Sequence, residues 1–524
     1  MSAPASPSPT VRNPAADVLV WCGIALCAAG FVIHRLWLQL PAARFGESLL
    51  LTALAALTAL ALRRWRGLTW AEALAATWLM ALVALTGVLP ALAVAMVAMA
   101  AVALGSCITG SRQPLLALLC GLAMMAGVLG WLLPLPVHRW WSYALVLMLL
   151  IVLRWHALRE DAGVAWQAWR DAAASAPRAA AWSVIVLGLA SAGAWLPTMQ
   201  HDDLAYHLGL PWQLLLNGHY ALDPSHQVWA LAPWAGDVLQ AVPQMLARAE
   251  ARSALNAVWF VATVAGLWRI GTALALPPML RWATLALFGS LPMTAALLGG
   301  MQTETPATAI TVMLAVLVLD EHTRERRHLF AAALLIGLLF ALKPLHGVAA
   351  LPLLGWAVWR LRSVISWLAM LPAAALAMFI AGSSYVYAWI VAGNPVLPLF
   401  NGVFRSRYFA PRDFADARWN AGFDTDLLWD LSFDTSRYVE GWDGGIGFVL
   451  IALSGAWLLA LGSGRARALA LCATVAMLLP LALMQYARYA HPGMVLLLPA
   501  LLAALPSGMG PRRAAYLLVG LCLL

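Results

Sequence analysis

Long apolar runs, each ending in a short polar or arginine-bearing stretch, repeat along the whole chain. A helix that crosses a bilayer needs about 20 apolar residues, and fewer where flanking side chains reach the interface. The pattern therefore predicts an all-α, polytopic integral membrane protein with about 15–17 transmembrane helices. The predicted segments are 18–38, 47–62, 69–87, 89–107, 114–134, 141–155, 179–197, 254–276, 282–299, 303–319, 329–345, 347–359, 364–392, 446–462, 468–485, 493–506 and 514–524.

Two stretches, 198–253 and 393–445, are too polar to cross a membrane and are predicted to be large loops. Within the first, residues 204–216 have the pattern of an amphipathic helix lying in the membrane interface and broken near Pro211. A second interfacial helix is predicted at 234–246, where one face carries Val238, Val242, Met245 and Leu246. The second loop is long and aromatic, which favours an ordered lid over a linker.

The same pattern divides the chain into five parts. The Pro-, Ser- and Ala-rich start has no positively charged region, so we expect a disordered tail followed by a retained transmembrane helix rather than a signal peptide. The predicted parts are the tail at 1–17, N-terminal transmembrane helices at 18–178, a transmembrane core at 179–392, the lid at 393–445 and C-terminal transmembrane helices at 446–524.

The composition supports a lipid environment, since 63% of the residues are hydrophobic and only 10% are charged. Soluble domains carry about 25% charged residues. The net charge of +9 would suggest nucleic acid in a soluble protein. Here positive charge at the cytoplasmic membrane face explains it, and we expect no nucleic-acid partner. The six cysteines lie inside apolar runs without metal-ligand spacing, which is typical of small core residues.

Arginine clusters in short loops determine the predicted sides of the membrane. With the segments above, they all fall on one side, the cytoplasm; they lie at 63–67, 154–178, 320–328, 360–362, 464–467 and 511–513. Both long loops, the ends of several helices and the turn at 485–493 then lie outside. This predicts a multi-pass membrane protein. Because polar residues at membrane depth are costly and usually functional, it also predicts a site on the extracytoplasmic face.

Asp202 and Asp203 follow a predicted transmembrane helix directly. Neighbouring carboxylates repel, so the two should differ in partner or protonation. The structural alternative is a helix end that meets water. With His201 and His207 nearby, a divalent metal also stays open as a cofactor, although neither an oxygen-rich shell nor a tetrahedral zinc set is evident.

Lys343 is the one lysine of the chain and stands before Pro344 at a helix end. A compact ammonium there suits a lipid-borne phosphate, and the structural alternative is a side chain that extends to the interface. Glu304 precedes Pro306 at a helix start, where it either caps the helix or supplies a second acidic group. Arg405 and Arg407 mix with aromatic residues in the second loop, which suits phosphate or sugar, or else pairing with local aspartates.

Several stretches resemble motifs of one family. Residues 202–220 (DDLAYHLGLPWQLLLNGHY), 303–319 (TETPATAITVMLAVLVL) and 340–354 (FALKPLHGVAALPLL) resemble two acidic motifs and a lysine-bearing helix end of the GT-C membrane glycosyltransferases. That superfamily includes the protein O-mannosyltransferases and the aminoarabinose transferase of lipid A. Residues 392–409 and 485–503 are similar to a bacterial group with glycosyltransferase-like domains.

The resemblance implies a GT-C-like fold in the bacterial inner (plasma) membrane, an active site on the periplasmic side, and Asp202, Asp203 and Glu304 as catalytic residues. Asp202 matches the catalytic base, Asp203 stands where many relatives carry Glu, and Glu304 matches the second acidic group. Lys343 matches a contact to the donor phosphate. The chain departs from the family in having six helices before the first acidic motif. The residues we expect to bind substrate are Lys343, His346, Tyr206, His207, Arg405, Arg407, Arg488 and Tyr489.

Nucleotide sugars stay in the cytoplasm, so a donor used outside must be lipid-linked. We therefore expect transfer of a sugar from a polyprenyl phosphate to a glycan, lipid or protein acceptor, by inverting displacement with one carboxylate as base. An O-antigen polymerase or ligase is an alternative, for which we expect an arginine-centred site. A lipid-linked-sugar transporter or flippase is another, and it predicts inverted repeats and charges at mid-membrane.

Overall fold

The computed structural model describes residues 14–320, 325–362, 366–439, 441–506, 509 and 511–523. These residues form α-helices and short helical turns, and they contain no β-strand. The all-α prediction is confirmed for this part of the chain. The predicted tail lies mostly outside the described residues, and helix α1 already begins at Pro14.

Twenty-four α-helices follow one another along the chain. They are α1 (Pro14–Ile33), α2 (Ala42–Arg66), α3 (Trp70–Thr86), α4 (Val88–Thr109), α5 (Pro114–Leu132), α6 (Trp140–Leu153), α7 (Trp155–Ser175), α8 (Pro177–Ser191), α9 (Gly209–Asn217), α10 (Ala235–Ala247), α11 (Arg252–Ala273), α12 (Pro278–Ser290), α13 (Pro292–Leu298), α14 (Glu304–Leu319), α15 (Arg326–Leu342), α16 (Pro344–Leu361), α17 (Trp367–Ala392), α18 (Asn401–Phe404), α19 (Leu427–Phe433), α20 (Val449–Ala452), α21 (Ser454–Ala460), α22 (Gly464–Leu483), α23 (His491–Ala503) and α24 (Pro511–Leu523).

Within the described residues, 8 helices are long and apolar enough to cross a membrane, or up to 9 if the bent pair α6 and α7 is one span. This indicates a multi-pass membrane protein. Other predicted segments correspond to shorter helices such as α3 and α14, or to helices broken by a turn such as α12 and α13. The higher count of crossings stays a prediction.

The N-terminal helices are part of the same bundle as the core. Helices α4 and α5 lie so close that a Cβ on Gly105 would stand 1.9 Å from the carbonyl oxygen of Ala117. Small residues permit this close approach between membrane helices. Helix α5 also packs on α15 and α17, and α1 packs on α20 and α21.

Helix α14 lies at the centre of the bundle, since every residue from Glu304 to Leu319 is buried. It packs against α11, α15, α16 and α23. A helix that is apolar on all sides is expected in such a position. The carboxylate at its first residue is therefore held deep inside the protein.

The first long loop differs from the prediction in two respects. Helix α9 is unbroken at Pro211, because this proline lies in its first turn, where no intrahelical hydrogen bond is lost. Helix α10 is buried on nearly every side rather than exposing one face, because it packs among α4, α5, α6, α9 and α15.

The predicted cytoplasmic loop at 154–178 also differs from the prediction. It is largely helical and forms α7, which is inclined at 76° to α6.

Candidate functional site

Four charged side chains from distant parts of the chain form one connected cluster. Arg488 Nη2 donates to Asp202 Oδ2 at 2.8 Å, and Arg488 Nε lies 3.7 Å from Glu304 Oε1. Lys343 Nζ donates to the same Glu304 oxygen at 3.4 Å. Two carboxylates thus face two cations, which offsets the cost of removing charges from water. We call Asp202, Glu304, Lys343 and Arg488 the charged cluster.

Each member of the cluster stands where a helix begins or ends. Glu304 is the first residue of α14, and Arg488 lies in a short 3₁₀ turn before α23. Lys343 separates α15 from α16 because Pro344 disfavours helical backbone at the residue before it. Since these helix ends meet at one level of the bundle, their polar side chains meet too.

The four side chains of the cluster differ in their exposure to solvent: two are buried and two are partly exposed. The Glu304 side chain is 0% exposed and that of Arg488 is 7% exposed. By contrast the side chain of Asp202 is 28% exposed and that of Lys343 is 27% exposed. A ligand that enters from the open side therefore meets Asp202 and Lys343 first.

The electrostatics of Asp202 are set by Arg488. Burial acts to raise the pKa of Asp202, but the charge and the hydrogen bond of the Arg488 guanidinium outweigh it. The pKa of this carboxyl therefore lies below its usual value. Asp202 is ionised at neutral pH, and it becomes a stronger base only when Arg488 is drawn away.

Asp203 faces away from the cluster. Its Oδ2 accepts hydrogen bonds from Thr198 Oγ1 at 2.5 Å and from the Met301 backbone N–H at 2.7 Å. The residue is 0% exposed, and burial raises the pKa of its carboxyl. These bonds tie the segment before Asp202 to the segment before Glu304. This geometry favours a positioning role for Asp203, and the catalytic role expected from the sequence stays a prediction.

Two residues that the sequence did not single out strengthen this connection. The Arg252 guanidinium donates to the carbonyl oxygens of Leu196 and Leu298, at 2.5 and 3.2 Å. Asn256 Nδ2 donates to the carbonyl oxygens of Leu298 and Gly300, at 2.9 and 2.6 Å. A buried arginine at the start of an apolar helix is a usable sequence signal, because such a charge needs partners.

A π-helical turn at Asp203–His207 follows Asp202. Such turns are rare and occur often at functional sites. His207 Nδ1 lies 2.7 Å from Asp237 Oδ1 of α10. Burial acts to lower the pKa of His207, but the Asp237 carboxylate outweighs it and raises that pKa. Asp237 was missed because it is close to His207 only in the folded chain.

His346 and Tyr489, both expected at the site, border the cluster. His346 Nε2 lies 2.9 Å from Thr303 Oγ1 and 4.0 Å from Glu304 Oε1. Lys343 Nζ donates to Tyr489 Oη at 3.2 Å and lies 4.8 Å from the ring centroid. The aromatic ring and the carboxylate together fix the position of the ammonium.

Arg405 and Arg407 do not join the cluster. Both are exposed, and neither forms an ion pair with a described residue. The second loop instead contacts the segment between α9 and α10, and the turn before α23, through its aromatic residues. Phe414 contacts Trp229 and Trp419 with ring centroids 5.2 Å apart in each pair, and the Trp419 carbonyl accepts from the Gln485 N–H at 2.9 Å.

The cluster does not have the ligand set of a metal centre. Over the described ranges, no three or more His, Cys, Asp or Glu side chains are grouped so that they could hold a metal ion. Asp202 and Asp203 are engaged with different partners, so their carboxylates are not arranged to share one ion.

An apolar groove of about 620 Å³ runs between α14, α15, α16 and α17. It extends from Arg326 and Leu361 at one end of these helices to Phe340 and Tyr385 at the other. Phe340 precedes Lys343 by three residues, or just under one helical turn. The groove therefore ends within about one helical turn of Lys343, and none of the four cluster residues lines it.

No protein-family model, curated protein or solved structure matches the chain. The site is consequently interpreted from its own geometry.

Proposed function

We propose that this protein is a GT-C-like membrane glycosyltransferase of the bacterial inner membrane. It transfers a sugar from a polyprenyl-phosphate donor to an acceptor at the extracytoplasmic face. The proposal keeps the count of about 15–17 crossings, since the shorter and broken helices can span where flanking residues reach the interface. The observation that carries it is the charged cluster beside one end of an apolar groove.

The groove and Lys343 together suit a lipid phosphate. An isoprenoid tail fits an apolar channel lined by residues such as Leu353 and Ala377, and its phosphate would reach the level of Lys343. Lys343 is the only lysine of the chain and its side chain is partly exposed. A phosphate bound there would form charge-assisted hydrogen bonds.

The reaction follows from the placement of Asp202. An acceptor hydroxyl gives its proton to the Asp202 carboxylate while its oxygen forms a bond to C1 of the donor sugar. The C1–O bond to the phosphate breaks, and the polyprenyl phosphate leaves with the electron pair. One displacement inverts the anomeric centre. The cations Lys343 and Arg488 stabilise the charge that develops on the leaving phosphate.

Through Arg488, donor binding would also change the basicity of Asp202. In the structure this guanidinium is paired with Asp202. A donor phosphodiester competes for the same cation, because its two non-bridging oxygens can accept a pair of charge-assisted hydrogen bonds from the guanidinium. Movement of Arg488 toward phosphate would release Asp202 as a base only when donor is present.

The central position of Arg488 also favours one alternative, an enzyme of the O-antigen polymerase or ligase type. Both enzymes use a lipid-linked sugar, but in the alternative the arginine is indispensable and Asp202 is not. Comparing Asp202→Asn with Arg488→Met in one transfer assay separates them.

Glycosyl transfer is tested with the full chain in nanodiscs, a panel of undecaprenyl-phosphate-linked sugars, and a cell-envelope extract as acceptor. The expected result is acceptor-dependent release of undecaprenyl phosphate from at least one donor, with loss of release in Asp202→Asn. The proposal fails if no donor is consumed and native mass spectrometry detects no binding of undecaprenyl phosphate.

A further inference from the structure

A second cavity, of about 220 Å³, lies beside the charged cluster and has a different chemistry from the apolar groove. It is enclosed by the π-helical turn, α9, the start of α10 and the segment between α9 and α10. Pockets that enclose drug-sized ligands occupy about 300–1,000 Å³. This cavity is smaller and suits one ring.

Aromatic side chains form much of its wall, namely Tyr206, Tyr220, Trp229 and Trp234. The rings of Tyr206 and Trp229 are nearly parallel, at 27° with centroids 6.4 Å apart. Trp234 and Tyr220 are fixed by hydrogen bonds to Ser383 Oγ and to the Ala230 carbonyl, at 3.1 and 2.8 Å. Rigid aromatic faces bind the apolar faces of a ring at low entropic cost.

Polar groups for hydrogen bonds stand between these rings. Gln213 Oε1 accepts from the Ala221 N–H at 3.1 Å, and its Nε2 has no hydrogen-bond partner among the described residues. The same holds for Trp229 Nε1 within the described ranges. The side chain of Asp237 is 10% exposed and uses only Oδ1 to bind His207. Donors and acceptors are therefore both available.

The charge of the cavity excludes an anionic ligand. Its ionisable wall residues are Asp223, Asp237, His226 and the tyrosines Tyr206 and Tyr220, and no described arginine or lysine lines it. Asp237 is balanced by His207, and Asp223 is occupied in a turn by bonds to Ser225. A small neutral ring with several hydroxyl groups satisfies aromatic faces and mixed hydrogen-bonding groups together.

The cavity is adjacent to the proposed base. Asp202 is the N-cap residue of the π-helical turn, and Tyr206, four residues later, lines the cavity. Residues four apart in a helical turn lie on nearly the same side, and the charge of Asp202 acts on Tyr206. A ring held against Tyr206 can therefore direct a hydroxyl toward the Asp202 carboxylate.

We propose that this cavity binds a neutral sugar ring of the acceptor, so that the acceptor is a glycan or glycolipid. This inference rests on the proposed glycosyl transfer, because it names the chemical class that receives the sugar. Phe414 of the second loop contacts Trp229, which is a wall residue of this acceptor cavity.

Saturation-transfer NMR on the full chain in nanodiscs tests the inference with methyl glycosides of neutral, amino and acidic sugars. Trp229→Ala removes an aromatic face, and Gly209→Phe fills the cavity from a position where an added Cβ meets nothing within 4 Å. We expect at least one neutral glycoside to bind, with affinity about tenfold lower in both variants. Trp212→Ala, an exposed residue of α9, and Gly163→Phe on α7 are matched controls that should bind like wild type.

The inference is overturned if no neutral glycoside binds the folded protein, if only charged sugars bind, or if both cavity variants bind normally. Undecaprenyl phosphate binding and donor consumption are measured on the same samples. If the two cavity variants lose glycoside binding but no protein, wild type included, binds the donor, the proposed transfer is contradicted. The cavity is then a sugar-binding site without that reaction. Wild-type transfer rates in both cavity variants contradict the acceptor cavity alone.

Discussion

The Arg488 guanidinium donates to the Asp202 carboxylate at 2.8 Å across 286 residues of sequence. The same guanidinium lies 3.7 Å from Glu304, so it bridges a partly exposed carboxylate and a buried one. Removing one partner of a buried ion pair leaves an uncompensated charge. This bridge links the proposed chemistry of Asp202 to the stability of the site.

Asp202→Asn keeps the size of the side chain but cannot accept a proton. We expect it to lower the turnover number by about 10²–10⁴-fold, which is the usual contribution of a general base. Thermal unfolding and binding of undecaprenyl phosphate should stay close to wild type. If this variant turns over at the wild-type rate, Asp202 is not the base. It is then only a polar residue at a helix end that meets water.

The pH dependence of turnover should reflect the Asp202–Arg488 pair. Because Arg488 lowers the pKa of Asp202, the base form persists as pH falls through the usual aspartate value of about 3.9. Arg488→Met removes the largest of the effects that oppose burial, so the acid limb of kcat/KM should move to higher pH. Arg159→Met, which changes an exposed arginine of α7, serves as control. An unchanged acid limb in Arg488→Met would exclude this coupling.

Lys343→Met removes the ammonium of the only lysine side chain while keeping much of the side-chain volume. Charge-assisted hydrogen bonds contribute about 1.5–3 kcal/mol, so affinity for undecaprenyl phosphate should fall by about 10–100-fold. Lys343→Arg keeps the charge and should retain part of the binding. Native mass spectrometry with undecaprenol as uncharged control measures the difference. If wild type and Lys343→Met bind undecaprenyl phosphate equally well, Lys343 does not contact the phosphate. It is then only a side chain that extends to the membrane interface.

Asp203 should affect folding more than chemistry. Asp203→Ala loses the acceptor for Thr198 and the Met301 N–H, which should destabilise the protein by about 1–3 kcal/mol. Asp203→Asn keeps an oxygen at that point and should turn over at a near wild-type rate. Thermal unfolding and transfer assays on both variants measure this. Loss of turnover in a stable Asp203→Asn would make the second carboxylate part of the chemistry.

Stability should also depend on pH through Asp203. Burial raises the pKa of this carboxyl in the folded state above its unfolded value. Its contribution to stability is therefore fully present below the unfolded pKa and is lost as pH rises through the folded pKa. Asp203→Asn should remove this component from unfolding curves measured between pH 4 and neutral. If the free energy of unfolding differs between wild type and Asp203→Asn by the same amount at every pH, Asp203 is not the source of this pH dependence.

The predicted sides of the membrane are open to direct measurement. Reporter insertions at Ser225 and Asp426 should be active only outside the cytoplasm, and an insertion at Arg326 only inside. A cytoplasmic signal at Ser225 would contradict both the topology and the location of the proposed site.

The helical segments and the grouping of several polar residues were predictable from the sequence. Apolar runs report helices directly, because the 3.6-residue period and the length of a span are local properties. Glu304, Lys343 and Arg488 each stand at a helix end on the same predicted side, so their approach followed from counting segments. The burial of α10 could not be predicted, because it depends on which helices surround it.

The partners of the individual side chains were decided by tertiary structure alone. Neighbours in sequence, Asp202 and Asp203, face different surroundings: one meets Arg488 and the other meets Met301. His207 meets Asp237, and the exposed Arg405 meets no described carboxylate. Local sequence determines where a helix begins and which residue types stand at its end. Ion pairs and hydrogen bonds depend on ångström-scale distances between segments, and only the packing of the whole bundle determines those distances.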